Sequence, residues 1–128
     1  TQGNWKHGVG LALHTWGGGA HASTCLVKVH GDGTAEVQLG SQDIGTGTYT
    51  ILAQLAAEKT GVALDKIEVA LGDTMLPPGP LSGGSLATGS LVPAVFAAAD
   101  QAIAGLLNVA TSAPGSPFAE KKWDDLAF

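Results

Sequence analysis

The chain reads Ser41-Gln42-Asp43-Ile44-Gly45-Thr46-Gly47-Thr48-Tyr49-Thr50 where a strand pattern ends and a helix pattern begins. The apolar residues that follow at helical spacing are Ile51, Leu52, Leu55 and Ala56. A glycine-rich turn at a helix start leaves backbone N–H groups unpaired, and such groups bind anionic or polar ligands. We therefore expect residues 41–47, called loop 1, to belong to a ligand site. Thr48 or Thr50 can cap the helix, and Gly61 ends it.

A second small-residue loop, Ser82-Gly83-Gly84-Ser85 (loop 2), also leads into a helix pattern, which spans about 86–108. Pro93 either kinks this helix or marks its effective start. The connector 76–80 is rich in proline and can be neither a helix nor a central strand. Two loops at helix starts in one short chain indicate a site that binds a large polar ligand mainly through the backbone.

Strand patterns are found at 9–13, 25–29, 34–39 and 65–71. The second and third of these form a predicted β-hairpin, because the turn 31–33 supplies glycines for positive φ angles. The order of elements predicts an α+β fold, with a mixed sheet, a β-hairpin and two helices packed on one side. In the second helix, the predicted buried stripe comprises Val95, Ala98, Ala102 and Leu106.

The length of 128 residues fits one domain. Charged residues make up 13% of the chain, against about a quarter in an average domain, so we expect other protein to cover part of the surface. The chain opens with Thr1 and shows no clean stop, and we expect residues 1–128 to be a single partial domain. Its core spans 6–108, and its tail, 109–128, has Trp123 and Phe128 as anchors.

The net charge is −5 and all six basic residues are lysines. A nucleic-acid-binding surface needs a basic stripe that neutralises phosphates, and this chain has none. No apolar run of transmembrane length and no signal peptide are apparent, so we expect no membrane insertion.

Nucleotide motifs do not account for the loops. A phosphate loop requires a lysine after its last glycine, whereas Thr46 and Gly47 follow Gly45. The dinucleotide fingerprint is matched at two of its three glycines. The four histidines show no metal-ligand spacing, so no metal ligand is predicted. No Ser–His–Asp triad can be argued from spacing alone, and no catalytic residue is predicted.

Two further residue types have simple structural interpretations. Asp43 and Asp73 lie beside the loops and could form an acid–base pair, although capping of turns by their side chains is the favoured interpretation. Cys25 lies in an apolar run and is expected to be a buried, structural thiol.

Four motifs occur in an order typical of one enzyme family. They are 8–19 (GVGLALHTWGGG), 40–50 (GSQDIGTGTYT), Gly72-Asp73-Thr74 with Pro77-Pro78 and loop 2, and Pro93-Ala94-Val95. Together they cover about 6–108. This combination resembles the molybdenum-binding large subunit of the xanthine dehydrogenase and aldehyde oxidase family, and is closest to its isoquinoline 1-oxidoreductase-like or periplasmic aldehyde dehydrogenase-like branch.

The resemblance implies a molybdenum atom on molybdopterin, with the cytosine dinucleotide as one form of the cofactor. Such enzymes hydroxylate aldehydes or N-heterocycles with water-derived oxygen and pass electrons through iron–sulfur clusters, often to FAD, on other subunits or domains. The residues that match the cofactor loops are Ile44, Gly45, Thr46, Gly47, Gly83, Gly84 and Ser85. Many family members carry Gln where Thr46 stands.

The family's catalytic glutamate lies in a later motif that this sequence does not contain, and the upstream Gly-Gly-Phe-Gly-type loop is also absent. The resemblance therefore implies part of a cofactor cradle, inactive as an isolated piece and partnered by the remainder of the large subunit. The compartment stays open between cytoplasm and periplasm. Two alternatives remain: a stand-alone binding module for a phosphate or nucleotide, and a structural domain for subunit assembly.

Overall fold

The computed structural model describes residues 3–122 and residue 125. The elements in chain order are β1 (Leu26–Val29), β2 (Ala35–Leu39), α1 (Thr48–Thr60), a 3-10 turn (Leu64–Lys66), β3 (Ile67–Leu71) and α2 (Ala87–Ser112). The predicted α+β class is confirmed. The predicted tail anchors, Trp123 and Phe128, lie outside the described residues.

The three strands form one mixed sheet in the order β1-β2-β3. β1 runs antiparallel to β2, with Val27 opposite Val37, which confirms the hairpin. β2 runs parallel to β3, with Val37 opposite Val69. Alternate residues of β2 are buried, as its period-2 pattern predicts.

Both helices cover the same face of the sheet. The core between the two layers contains Val27, Val37, Leu39, Leu52, Ala56, Leu91, Val95 and Ala99. Full burial of one such aliphatic side chain contributes about 1.5–3 kcal/mol, so this layer is the main source of stability. Glu36 and Gln38 alternate with the buried residues of β2 and form the polar face of the sheet.

Glycines mark both ends of α1. Gly47 precedes the helix with a φ of 78°, and Gly61 follows it with a φ of 73° and donates its N–H to the Ala57 carbonyl. The predicted stop at Gly61 is confirmed. The predicted cap by Thr48 or Thr50 is wrong, because Gly47 occupies the cap position and no side chain of that residue can bond there.

The predicted strand at 9–13 is absent. Residues 6–25 are assigned to no helix or strand, and the side chains of Val9, Leu11 and Leu13 are 87% exposed or more. Alternation specifies a strand only when a neighbouring strand supplies hydrogen bonds. Within the described part of the chain, no strand pairs with this segment.

α2 begins at Ala87, as the pattern from about residue 86 predicts, but it continues past 108 to Ser112. Of the two interpretations of Pro93, the effective helix start is wrong, because Pro93 lies inside the helix. Leu106, expected in the buried stripe, is 40% exposed. By length and composition alone, α2 is also apolar enough to span a membrane, which corrects the expectation that no such run exists. Core helices meet the same criterion, and Leu91, Val95 and Ala99 of α2 are buried in the core.

Candidate functional site

Both glycine loops lie beyond the same edge of the sheet. β2 and β3 are parallel, so their carboxyl ends, Leu39 and Leu71, lie side by side. Loop 1 follows β2, and the connector after β3 returns the chain toward it. Gly40 forms an isolated parallel bridge with Pro78 and donates its N–H to the Pro77 carbonyl at 2.6 Å. Ligand sites of open sheets commonly lie beyond the carboxyl ends of parallel strands.

Direct hydrogen bonds join the two loops. The buried Ser41 hydroxyl donates to the Pro80 carbonyl at 2.8 Å. The Ser82 N–H donates to Gln42 Oε1 at 3.1 Å, and the Ser82 hydroxyl donates to the Gln42 carbonyl. The sequence places Ser41 and Gln42 in loop 1 but did not predict these bonds, for which the polar side chains two and three residues after the apolar strand β2 were the available signal. The loops therefore form one connected structure.

A pocket of about 410 Å³ lies between loop 1 and the beginning of α2. Its lining residues are Ile44, Thr46, Ser82, Gly83, Gly84, Ser85, Leu86, Ala87 and Thr88. The structure thus brings together five of the seven predicted site residues. Gly45 and Gly47 belong to loop 1 but do not line the pocket.

Asp43 organises loop 1 from within. Its Oδ1 accepts hydrogen bonds from the N–H groups of Gly45 (2.7 Å) and Thr46 (3.0 Å), and its Oδ2 accepts one from Tyr49 (3.4 Å). Desolvation raises the pKa of Asp43, but the backbone N–H groups together outweigh this effect and hold the pKa below its ordinary value. The predicted capping role is confirmed, and Asp73 likewise accepts from Met75 N–H at 2.8 Å.

The same bonds correct the first expectation about loop 1. Its N–H groups were expected to be unpaired and to bind the ligand, yet those of Gly45, Thr46 and Tyr49 are donated to Asp43. Loop 1 therefore contributes side chains to the pocket rather than these backbone donors. They are the Thr46 hydroxyl and the Ile44 side chain, which is 65% exposed.

The start of α2, just after loop 2, retains free backbone donors. The N-cap residue of α2, Leu86, makes no side-chain capping bond. The N–H groups of Ala87, Thr88 and Gly89 have no partner within the part of the chain that the structure describes. Such N–H groups at a helix start attract anionic groups.

Ser85 has a φ of 59° and is the one non-glycine residue with positive φ among those described. Gly84, directly before it, has a φ of 58°. Two consecutive residues with positive φ produce a tight turn, and an L-amino acid such as Ser85 adopts a positive φ only with strain. Strained residues cluster at functional sites, which supports a role for this turn.

The donors fit a neutral or anionic polar ring system. Four hydroxyl-bearing residues line the pocket, Thr46, Ser82, Ser85 and Thr88, and no cationic residue does. A Cβ added to Gly45 or Gly47 would meet no atom within 4 Å, so open space adjoins loop 1. No group of three or more His, Cys, Asp or Glu side chains in the described residues could bind a metal ion.

A larger cavity lies elsewhere. A mainly apolar pocket of about 540 Å³ opens at the other end of the sheet, between the hairpin turn and the C-terminal parts of both helices. It contains no residue of either loop, and its walls carry few polar groups. We assign the functional site to the smaller pocket, because there both loops converge and strain is present.

Comparison with known proteins identifies the family of this chain. Residues 1–127 match the family model of the molybdopterin cofactor-binding domain. The aldehyde oxidoreductase molybdenum-binding subunit PaoC of Escherichia coli is 40% identical over 96 residues, which is 75% of this chain and 13% of that protein. The putative xanthine dehydrogenase molybdenum-binding subunit XdhA of Escherichia coli is 36% identical over 73 residues, covering 53% of this chain and 10% of that protein.

A nicotinate dehydrogenase subunit of Pseudomonas putida is 36% identical over 66 residues, which is 52% of this chain and 5% of that protein. The chain thus spans a small share of these relatives, all of which are subunits of oxidoreductases. Its fold and loops define a molybdopterin cofactor-binding domain. The chain belongs to the xanthine dehydrogenase and aldehyde oxidase family, as the sequence motifs predicted.

Proposed function

We propose that this chain forms part of the cofactor cradle in the large subunit of a molybdenum hydroxylase, and that molybdopterin lies between loop 1 and loop 2. The observation that carries this proposal is the shared pocket, which five of the seven motif residues line. When bound, the cofactor supplies the hydroxylation chemistry, while the protein binds and orients it.

The proposed contacts follow from the chemistry of the lining. The hydroxyls of Thr46 and Ser85 donate to polar edges of the pterin, and Ile44 packs against its ring. Gly83 and Gly84 in the pocket lining let the ligand approach the backbone closely, and Gly45 and Gly47 leave open space beside loop 1. A phosphate of the cofactor, including the cytosine dinucleotide form, binds the free N–H groups at the start of α2.

The exposed apolar surface supports a role within a larger protein. Val9, Leu11, Leu13 and Met75 are at least 87% exposed. Burial of such side chains is worth about 1.5–3 kcal/mol each, so a covering partner is strongly favoured. We propose that residues 1–128 are a single partial domain with a core at 6–108 and a tail at 109–128, covered by the remainder of the large subunit.

The rest of the catalytic apparatus then comes from outside this chain. We propose that the catalytic glutamate lies in another segment of the subunit, so that the isolated chain is inactive. Iron–sulfur clusters and FAD belong to other subunits or domains. The substrate is an aldehyde or an N-heterocycle, classes to which the names of the relatives also point.

The test uses the complete subunit with Gly84→Leu, which fills the turn at the pocket. Gly115→Leu is the matched control, because Gly115 also has positive φ (75°), has free space for a Cβ and lies outside the pocket. Molybdenum and pterin per subunit are measured after purification. We expect both to fall at least about tenfold in Gly84→Leu, a loss of roughly 1.4 kcal/mol of binding, and to stay normal in the control. Normal molybdenum content in a folded Gly84→Leu subunit would contradict the site.

A further inference from the structure

Residues 16–21, called the strap, cross the start of α2. The Trp16 indole N–H donates to the Gly84 carbonyl at 3.2 Å, although 68 positions separate the two residues. At the other end, the His21 N–H donates to the Ser90 hydroxyl at 2.9 Å, and that hydroxyl donates to the Leu86 carbonyl. The strap is thus attached both to loop 2 and to the first turn of α2.

Close packing explains Gly19 of the strap and Gly89 of α2. A Cβ added to Gly19 would lie 2.7 Å from Leu86 Cδ2, and one added to Gly89 would lie 3.1 Å from the Gly19 carbonyl oxygen. A Cβ added to Gly18 would lie 3.7 Å from the Ser85 carbonyl oxygen. The strap and α2 therefore approach each other along their backbones, and small residues on both sides permit this.

The bond from Trp16 fixes the direction of one peptide group. The Gly84 carbonyl and the Ser85 N–H belong to the same planar trans peptide, so they point in opposite directions. Because the carbonyl points at Trp16, the Ser85 N–H points away from Trp16. Trp16 does not line the pocket, whereas Gly84 and Ser85 both do.

Without that bond, the peptide has a reason to turn over. A flip of the Gly84–Ser85 peptide would move the φ of Ser85 from 59° to roughly −120°, a region that any L-residue adopts easily. The flip would therefore relieve the strain at Ser85 while reversing its N–H. A hydrogen bond to the carbonyl opposes this change.

We propose that Trp16 is a positioning residue that holds the Gly84–Ser85 peptide in its strained orientation, and that the strap maintains the shape of loop 2 for the cofactor. This inference rests on the proposed function, in which loop 2 contacts molybdopterin. Trp16 acts through the peptide of Gly84 and does not itself contact the cofactor.

The first test is Trp16→Phe in the complete subunit, which removes the N–H donor and keeps an aromatic ring. Trp5→Phe is the control, because Trp5 is also exposed and also loses an indole. Two readouts are used: the rate of cofactor loss on dialysis, and hydrogen exchange of the peptide that covers 83–88. We expect Trp16→Phe to lose cofactor roughly three- to tenfold faster and to exchange faster at 83–88, as loss of one hydrogen bond predicts.

The second test separates positioning from general stability. Gly89→Ala places a methyl group against the Gly19 carbonyl oxygen, while Gly105→Ala, in the same helix, meets no atom within 4 Å. Both substitutions favour the helix, so neither should lower the thermal midpoint by weakening α2. We expect Gly89→Ala to lose cofactor faster than the wild type and Gly105→Ala to behave like it.

The outcomes are distinct. Wild-type cofactor retention in both Trp16→Phe and Gly89→Ala would overturn the proposal, as would cofactor loss that merely follows a lowered thermal midpoint of the cofactor-free subunit. If the wild-type subunit carries no molybdenum, the proposed function fails. Hydrogen exchange at 83–88 would then still decide whether Trp16 holds loop 2, because it needs no cofactor.

Discussion

Ser41 and Pro80 join the two halves of the site, since the buried Ser41 hydroxyl donates a hydrogen bond of 2.8 Å to the Pro80 carbonyl. Ser41 lies two residues after the end of β2, and Pro80 precedes loop 2. Because both groups are shielded from water, neither can exchange its partner for solvent. The bond therefore fixes the separation of the loops, which is the width of the pocket between them.

Replacing Ser41 by Ala leaves the Pro80 carbonyl buried without a partner. We expect the free energy of unfolding to fall by about 1–3 kcal/mol, the usual consequence of an unsatisfied buried acceptor. Thermal unfolding of the complete subunit measures the change. Ser112→Ala is the control, because the Ser112 hydroxyl bonds only in an exposed position, and its effect should stay within about 0.5 kcal/mol. Equal stability of the two variants would show that the Ser41 bond is not needed.

Asp43 gives loop 1 a pH dependence of known sign. Its pKa is lower in the folded protein than its ordinary value of about 3.9, so the ionised group stabilises the fold above about pH 4. This contribution is lost as the pH falls through the folded pKa. We expect Asp43→Asn to be less stable than the wild type at neutral pH, with a difference that shrinks below about pH 4.

Urea unfolding between pH 3 and pH 7 tests this expectation for Asp43→Asn. The exposed Glu58 on α1 supplies a matched control, Glu58→Gln. A constant difference between wild type and Asp43→Asn over the whole range would mean that the Asp43 charge does not support loop 1.

Thr46 is expected to bind the cofactor through its hydroxyl. Thr46→Val keeps the shape and removes the hydroxyl, so cofactor should dissociate about two- to tenfold faster. Thr46→Gln restores a polar group with a longer reach and should retain the cofactor. Thr50→Val is the control, since Thr50 is exposed on α1 outside the pocket. Unchanged cofactor retention in Thr46→Val would remove Thr46 from the site.

Lys59 ties α1 to α2. Its ammonium group lies 2.9 Å from Asp100 Oδ1 and 4.9 Å from the centre of the Phe96 ring. We expect Lys59→Ala to lower the free energy of unfolding by about 0.5–1 kcal/mol, and less at high salt. Lys59→Met, which keeps the apolar stem, separates charge from packing. A loss that does not depend on salt would assign the effect to packing alone.

Cys25 should react slowly with alkylating reagents. Cys25 is half-buried rather than fully buried as the sequence predicted, and this partial burial raises the pKa of its thiol to about 11, against a smaller lowering by a backbone hydrogen bond from Gln38. At pH 8 only about one thiol in a thousand is then ionised, and the thiolate is the reactive form. Iodoacetamide labelling followed by peptide mapping measures the rate, which should rise with pH up to about 11. Rapid labelling at pH 8 would contradict burial of the thiol.

Local sequence patterns predicted those helices and strands that are determined by neighbouring residues. The hairpin followed from alternation in 34–39 and a glycine turn, and the end of α1 followed from Gly61. The strand expected at 9–13 was wrong because its pairing partner would have to come from outside the described residues. The start of α2 followed from the pattern that begins at about residue 86, whereas Pro93 alone was compatible with either a start or an internal position.

The site was only partly predictable for a related reason. Glycine loops can be seen in the sequence, but the bonds that shape them join residues far apart: Ser41 with Pro80, and Trp16 with Gly84. Likewise, the hydrogen bonds that the Asp43 carboxylate accepts from the loop 1 N–H groups depend on the geometry of the turn. Residue types thus indicated where the loops lie, whereas tertiary contacts decide which donors remain free.

The parallel pairing of β2 with β3 determines where the chain can accept insertions without losing the site. Leu39 lies opposite Leu71, and each residue advances a strand by about 3.3 Å. A one-residue slip between these strands would move loop 1 by that distance relative to the connector, and the Ser41–Pro80 bond would break. Insertions within β2 or β3 should therefore disrupt the site. Insertions in the hairpin turn 30–34, at the other end of the sheet, leave the alignment of loop 1 with the connector unchanged.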